Sequence, residues 1–229
     1  MDSLSPLRQI RQEQALKTLA ALQARYPDPR THLAASNAWE LLVATVLAAQ
    51  CTDARVNVVT PMLFQRWPTP AALAQADLED LESVIRPTGF FHSKAKNLLG
   101  AAQRLCDVFR GEVPKTLAEL VTLPGVARKT ANVVLFGAYG INEGIAVDTH
   151  VKRISYRLGL TQETDPVAIE RDLMLLFPQE EWGKVNHRMV SFGRDVCVAR
   201  KPRCPTCTMA SFCPRLTPPG KTKTKESRA

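Results

Sequence analysis

The sequence predicts an all-α protein. Apolar residues recur at helical spacing along almost the whole chain, alternating Val, Ile, Tyr and Thr segments of strand type are scarce, and the intervening connections are short and rich in Pro and Gly. The first helix is amphipathic over 10–26 and is stopped by Pro27 and Pro29. Residues 38–50 are apolar nearly all round, the pattern of a helix with neighbours on every side. A third helix is expected over 53–67, with Thr52 or Asp53 as its cap and Pro68 and Pro70 closing it. Further helices are expected at 70–76, 77–86, 93–109, 116–121, 126–138, 149–158, 166–177 and 181–196. No fixed-period repeat occurs, and no sheet is expected that could offer a nucleotide cofactor a topological switch point.

At 229 residues the chain is long enough for one large domain or two modest ones with an ordinary apolar core, so no disulfide scaffold is required. The opening residues mix charge with apolar positions and build no secretory signal. The longest apolar run, 41–49, is far short of the roughly 20 residues that span a bilayer. A soluble protein without membrane association is expected. Thirty Lys and Arg against twenty-two Asp and Glu give a formal charge of +8 and a sequence pI near 9.4. That balance points to a polyanionic partner, nucleic acid first, and says nothing about sequence specificity. Residues 216–229 contain four basic residues and one acidic one and are expected to form a disordered basic tail; the remaining body is still basic.

Cys197, Cys204, Cys207 and Cys213 are separated by six, two and five residues in one short, basic, Pro-containing loop. Without a secretion signal, disulfides fall behind metal ligation. Thiolate ligation leaves zinc and an iron-sulfur cluster open, and the single C-x-x-C knuckle, where four-cysteine zinc sites typically use two, leans toward the cluster. Cys51 and Cys106 stand alone in helical patterns and are expected to be small buried apolar side chains.

The stretch Leu123-Pro-Gly-Val-Ala-Arg-Lys-Thr-Ala-Asn-Val-Val-Leu135 is a Pro-Gly turn running into an apolar-periodic helix. Pro124 presets one turn angle, and Gly125 accepts the positive φ of a type II turn. Such a turn exposes main-chain N–H groups at a helix N-terminus, where they bind phosphate irrespective of base sequence. The expected cradle is Leu123, Gly125 and Ala127, with Arg128 beside them. Val126, Thr130, Val133, Val134 and Gly137 trace the expected buried stripe, with Arg128 and Lys129 off it. Lys129 reads as a solvated lysine or as an amine nucleophile, which must shed its proton through desolvation or a neighbouring cation such as Arg128. Asp148, in Val147-Asp-Thr-His-Val-Lys-Arg153, reads as the N-cap of the following helix, and a carboxylate so placed can also face positive charge developing on a sugar.

Occurring together and in this order, these signals resemble the endonuclease III family of helix-hairpin-helix DNA glycosylases over residues 16–214. Also part of the resemblance are Leu47-Ala-Ala-Gln-Cys-Thr-Asp53 and Gly89-Phe-Phe-His-Ser-Lys-Ala95. The resemblance implies two helical lobes: a six-helix domain, 31–142, with the helix-hairpin-helix motif, and an iron-sulfur cluster domain from 1–30 and 143–215. It also implies a DNA-binding cleft between them and one [4Fe-4S] cluster on the four cysteines. The implied partner is damaged double-stranded DNA met by a monomer, on bacterial cytoplasmic DNA or in a eukaryotic nucleus or organelle. The implied activity is removal of oxidised pyrimidines followed by β-elimination at the abasic site. Lys129 would attack C1′ and Asp148 would assist. Gln50 would fill the gap left by the extruded nucleotide. Gly89-Phe90-Phe91-His92 would be the wedge loop, with Phe90 where the family has an aliphatic residue, and one of the two phenylalanines buried while the other inserts. His150 would pack or stand near phosphate, and Arg200, Lys201 and Arg203 would touch phosphates.

Two other functions compete. An adenine-mismatch glycosylase of the same superfamily should lack the lysine and carry a further C-terminal domain. A non-catalytic iron-sulfur DNA-binding module would use the turn only to hold phosphate. A zinc-bearing helical transcription factor is a more distant third.

Overall fold

Capping chemistry explains where the helices begin. A computed structural model describes residues 6–217, and among them there is no strand and no helix long and apolar enough to cross a membrane. The helices are α1 (Pro6–Arg25), α2 (Ala38–Leu47), α3 (Asp53–Arg66), α4 (Pro70–Ala74), α5 (Leu78–Ile85), α6 (Phe91–Phe109), α7 (Leu117–Leu120), α8 (Arg128–Tyr139), α9 (Thr149–Arg157), α10 (Pro166–Leu176) and α11 (Trp182–Asp195). Asn37, Thr52, Thr69, Asp77, Thr116, Asp148 and Asp165 each accept a main-chain N–H of the helix they precede. The helices expected from sequence are present, and two of the boundary shifts lie beside non-glycine residues in left-handed backbone. Gln50, at φ 53°, stands beyond the end of α2, and α6 starts at Phe91, just after Phe90 at φ 49° and two residues before the expected Ser93.

The described residues form two compact units. One contains residues 28–146 and 178–188; the other contains those up to Pro27, Val147–Phe177 and those from Met189 onward. Residues 178–188, expected to belong with the cysteine region, thus group with 28–146. The larger unit is built around α2, whose residues from Leu41 to Leu47 are all buried. Helices α3, α6 and α8 pack on α2, while α4 and α5 pack on α6. This many-sided burial is why α2 shows no polar face. Helix α6 is amphipathic, burying Ala95, Leu98, Ala101, Ala102 and Leu105. The expected stripe of α8 is corrected to Ala131, Asn132, Val134 and Leu135; Thr130 and Val133 are half-buried and Gly137 is exposed. The helix begins at Arg128, after Val126, so the inward face is rotated from the one inferred.

In the other unit α1 buries Ala15, Thr18, Leu19 and Leu22 and packs on α10. Gln12 Nε2 donates to Leu176 O at 3.1 Å and Gln14 Nε2 to Phe212 O at 3.0 Å, fixing α1 to both ends of the later chain. Arg25 and the Tyr26 hydroxyl both reach the Asp195 carboxylate. Leu216, where the expected tail begins, donates its N–H to Arg157 O at 3.1 Å; residues 218–229 of that tail lie outside the described residues.

Within the larger unit, α11 approaches α8 through Gly183. A Cβ there would stand 2.1 Å from Cγ and 2.7 Å from Cβ of Phe136. Gly183→Ala should therefore destabilise the fold by about 1–3 kcal/mol through overpacking, read as a lower urea midpoint.

Candidate active site and cysteine cavity

The Pro-Gly turn is formed by ordinary hydrogen bonding. Leu123 donates its N–H to Leu120 O at 3.1 Å, and Val126 N donates to Leu123 O at 3.1 Å. Pro124 lies against Gly100 of α6, and Gly125, at φ 76°, lies against Asn97, where a Cβ would come within 2.8 Å. Gly125 and Ala127 are exposed, and among the described residues their N–H groups have no acceptor. Ala127, the N-cap of α8, offers no side-chain cap, so this helix end is open to an anion. Leu123, the first residue of the expected cradle, stands at the start of the turn. Its side chain is buried and its N–H and carbonyl are both used within the turn, so it shapes the cradle without presenting a donor. Arg128 is half-buried, and Lys129, the second residue of α8, is exposed.

Gln50 is exposed in a left-handed turn just past α2. Phe90 is 64% exposed, whereas Phe91 is half-buried under the Arg86 guanidinium, 5.4 Å from its ring. The aromatic pair therefore presents one ring to solvent and withholds the other. The exposed His92 packs its ring at a tilt against Phe91, centroids 4.1 Å apart, and brings Nδ1 to 2.7 Å from Glu82 Oε2, which ties this turn back to α5. Between the Gln50 and Phe90 turns lies a residue that received no role from sequence, Lys94. Its Nζ donates to Leu47 O at 2.7 Å and to Thr88 O at 2.9 Å. Burial pushes its pKa down, and the nearby Cys51 thiol opposes that shift. A lysine on the buried stripe of α6 was the available signal. Cys51 and Cys106, expected to be buried, are both half-buried.

In the other unit, Asp148 is the N-cap of α9, accepting from His150 N and Val151 N, both at 2.8 Å. His150 is half-buried with Nδ1 3.2 Å from Arg153 Nη2. Burial pushes its pKa down, Arg153 and Arg194 add to that, and Asp148 opposes it. A cation-flanked, half-buried imidazole suits packing better than proton abstraction near neutral pH. Arg153 donates to Cys197 O at 2.9 Å and to Gly193 O at 3.1 Å. One turn later Arg157 donates to Cys197 Sγ at 3.3 Å, Val198 O at 2.9 Å and Ala199 O at 3.0 Å.

Cys197, Cys204, Cys207 and Cys213 line one cavity of about 250 Å³, walled by Ile154, Leu158, Phe192 and other apolar groups. None of the four is in a disulfide. Burial pushes the Cys207 and Cys213 thiols up, a penalty on the thiolate that a bound cationic group would reverse. Met209 N donates to Cys207 Sγ at 3.4 Å, so main chain as well as arginine faces sulfur. Among the described residues no three His, Cys, Asp or Glu side chains converge tightly enough to hold a single metal ion. Arg200, Lys201 and Arg203 are exposed on the loop between Cys197 and Cys204, and Arg203 Nη1 lies 3.9 Å from Asp195 Oδ1.

Because the Asp148 carboxylate holds two helix N–H groups, its removal has a cost separate from chemistry. Asp148→Ala should destabilise the fold by about 1 kcal/mol, while Asp148→Asn, which still caps, should lose only a few tenths. Urea midpoints of the two variants check this.

Residues 43–179 match the model of the HhH-GPD superfamily base excision DNA repair proteins. Endonuclease III of Synechocystis sp. is 52% identical over 93% of this chain and 98% of its own. A solved non-covalent endonuclease III–DNA complex superposes with a TM-score of 0.84 at 44% identity, covering 88% of this chain and 94% of the other. A trapped endonuclease III–DNA covalent intermediate, with an estranged adenine, gives the same TM-score of 0.84 and 44% identity over 88% of this chain and 95% of the other. With its all-helical fold, its Pro-Gly turn and its cysteine cavity, the chain belongs to the endonuclease III family, within the HhH-GPD superfamily of base excision DNA repair proteins.

Proposed function

We propose that the protein is a bifunctional DNA glycosylase and AP lyase that removes oxidised pyrimidines from duplex DNA as a monomer and cuts the resulting abasic site by β-elimination. The observation that carries this reading is the exposed amine of Lys129 at the start of α8, next to the open N–H groups of Gly125 and Ala127. The amides and the helix N-terminus bind phosphate, which brings the sugar to the amine. Lys129 is exposed, and DNA seated on the neighbouring amides would cover its amine and exclude water from it. Its lone pair bonds C1′ as the C1′–N bond breaks and the electron pair leaves with the base, which takes up a proton. Asp148 supplies the negative charge that stabilises the oxocarbenium-like sugar. Loss of the amine proton and opening of the sugar give an imine, removal of a C2′ proton breaks the C3′–O bond, and the 3′ phosphate leaves. A family relative has been captured as a covalent DNA intermediate, which fits an amine nucleophile.

Extruding the nucleotide costs a few kcal/mol, less when the base is damaged. Gln50 and Phe90, both exposed and both on left-handed backbone, are the groups assigned to the vacated space. The four cysteines are assigned to a [4Fe-4S] cluster. The four thiols line one cavity, and their single C-x-x-C knuckle, where four-cysteine zinc sites typically use two, favours the cluster over zinc. Cys197, Cys204, Cys207 and Cys213 would hold the cluster, which would cross-link the loop and so fix Arg200, Lys201 and Arg203, whose own cations would contact phosphate. An adenine-mismatch glycosylase has no use for an amine at position 129, and a module that used the amine only to hold phosphate would form no borohydride-trapped adduct.

Two measurements test these assignments. Lys129→Gln should fold and retain DNA binding but lose the borohydride-trapped adduct on abasic DNA by at least about 100-fold, whereas Asp148→Asn should slow base removal and still trap on preformed abasic sites. Wild-type trapping in Lys129→Gln would remove the nucleophile from this position. Anaerobically purified protein should be brown with about four irons per chain; stoichiometric zinc in colourless protein would overturn the cluster.

A further inference from the structure

Lys94 occupies a position where the periodicity of α6 calls for an apolar side chain, and it is only 4% exposed. A buried ammonium persists only where hydrogen bonds replace its water. Its two Nζ bonds end on Leu47, the last residue of α2, and on Thr88, which precedes Gly89 and Phe90. Its main-chain N–H closes a third bond, to Phe90 O at 3.1 Å. Three residues beyond Leu47 is Gln50, and two beyond Thr88 is Phe90; both are exposed and both are non-glycine residues with φ near 50°, 53° and 49° respectively. Such backbone persists where the surroundings over-determine it. A cation at the C-terminal carbonyl of α2 is also electrostatically favoured by the helix dipole.

We propose that Lys94 is a positioning residue for base extrusion, clamping the turn that presents Gln50 to the turn that presents Phe90 so that both side chains meet the duplex at a set separation. The inference rests on the assignment of Gln50 and Phe90 to the vacated space. Buried as it is, Lys94 has no access to sugar and acts only through these two turns. An ammonium suits the task because one atom carries three donors and can serve two carbonyls from different segments at once.

The test uses Lys94→Met, which keeps the side-chain length and removes the donors. The intact, cluster-loaded protein and the variant are compared on a duplex with one thymine glycol beside 2-aminopurine, and on the same duplex with a preformed abasic site. In the variant the 2-aminopurine rise that reports unstacking should be lost and single-turnover excision should fall about 10- to 100-fold, while strand cleavage at the abasic site stays within about threefold. If Lys94→Met does not fold, Lys94→Gln, which keeps one amide donor, is carried through the same assays and should show the same split in milder form. A folded variant with unchanged excision, or with equal losses on both substrates, overturns the clamp. An unaltered protein that neither excises thymine glycol nor cuts abasic sites would instead overturn the glycosylase reading itself.

Discussion

The seating of the Pro124-Gly125 turn on α6 is the constraint on which the exposed surface around Lys129 in the larger unit depends. Gly125 can lie against Asn97 only because it lacks a Cβ, and Pro124 meets α6 where Gly100 leaves space. With the turn held there, α8 starts at Arg128, its N-cap Ala127 supplies no side-chain cap, and Lys129 falls on the exposed side of the first helical turn. The same helix supports the Phe90 turn. Lys94, Asn97 and Gly100 follow one another at helical spacing, so one face of α6 fixes the Phe90 turn at its start and the Pro-Gly turn a little further along. The groups proposed as nucleophile, phosphate cradle and gap fillers thus share a single support, and α6 is itself held by the packing of α4 and α5.

Helix α9 organises the other unit in a comparable way. Its N-terminus is capped by Asp148, whose carboxylate faces the positive end of the helix dipole, and its later turns carry Arg153 and Arg157, which grip the Cys197 carbonyl and sulfur. The charges are arranged as the dipole prefers, anion first and cations last. Asp148 therefore has a structural reason to be present apart from any chemistry. The chemistry proposed for this position would use a group that the helix already requires.

Much of this organisation was legible in the sequence because it rests on local signals. Helical periodicity identified the helices, Pro and Gly located the turns, and the clustering of four cysteines anticipated a shared cavity. What escaped notice was conformation that no residue type announces. Gln50 and Phe90 adopt left-handed backbone without being Gly or Asn, so the helix ends beside them were misplaced. Lys94 was overlooked because lysine is ordinarily a surface residue; only its place among Ala95, Leu98 and Ala101 marks it as buried. Leu123 was counted with the phosphate cradle because the motif includes it, whereas its side chain belongs to the core. The inward stripe of α8 was misjudged because the turn consumes two residues that periodicity had assigned to the helix.

The central claim is that the amine on Lys129 becomes covalently attached to the sugar. The most direct measurement is peptide mapping by mass spectrometry of the unaltered protein after borohydride reduction on abasic duplex and nuclease digestion of the DNA. The account predicts one modified tryptic segment, with the deoxyribose remnant on Lys129. A remnant on another lysine or on the N-terminal amine, with Lys129 unmodified, would contradict it.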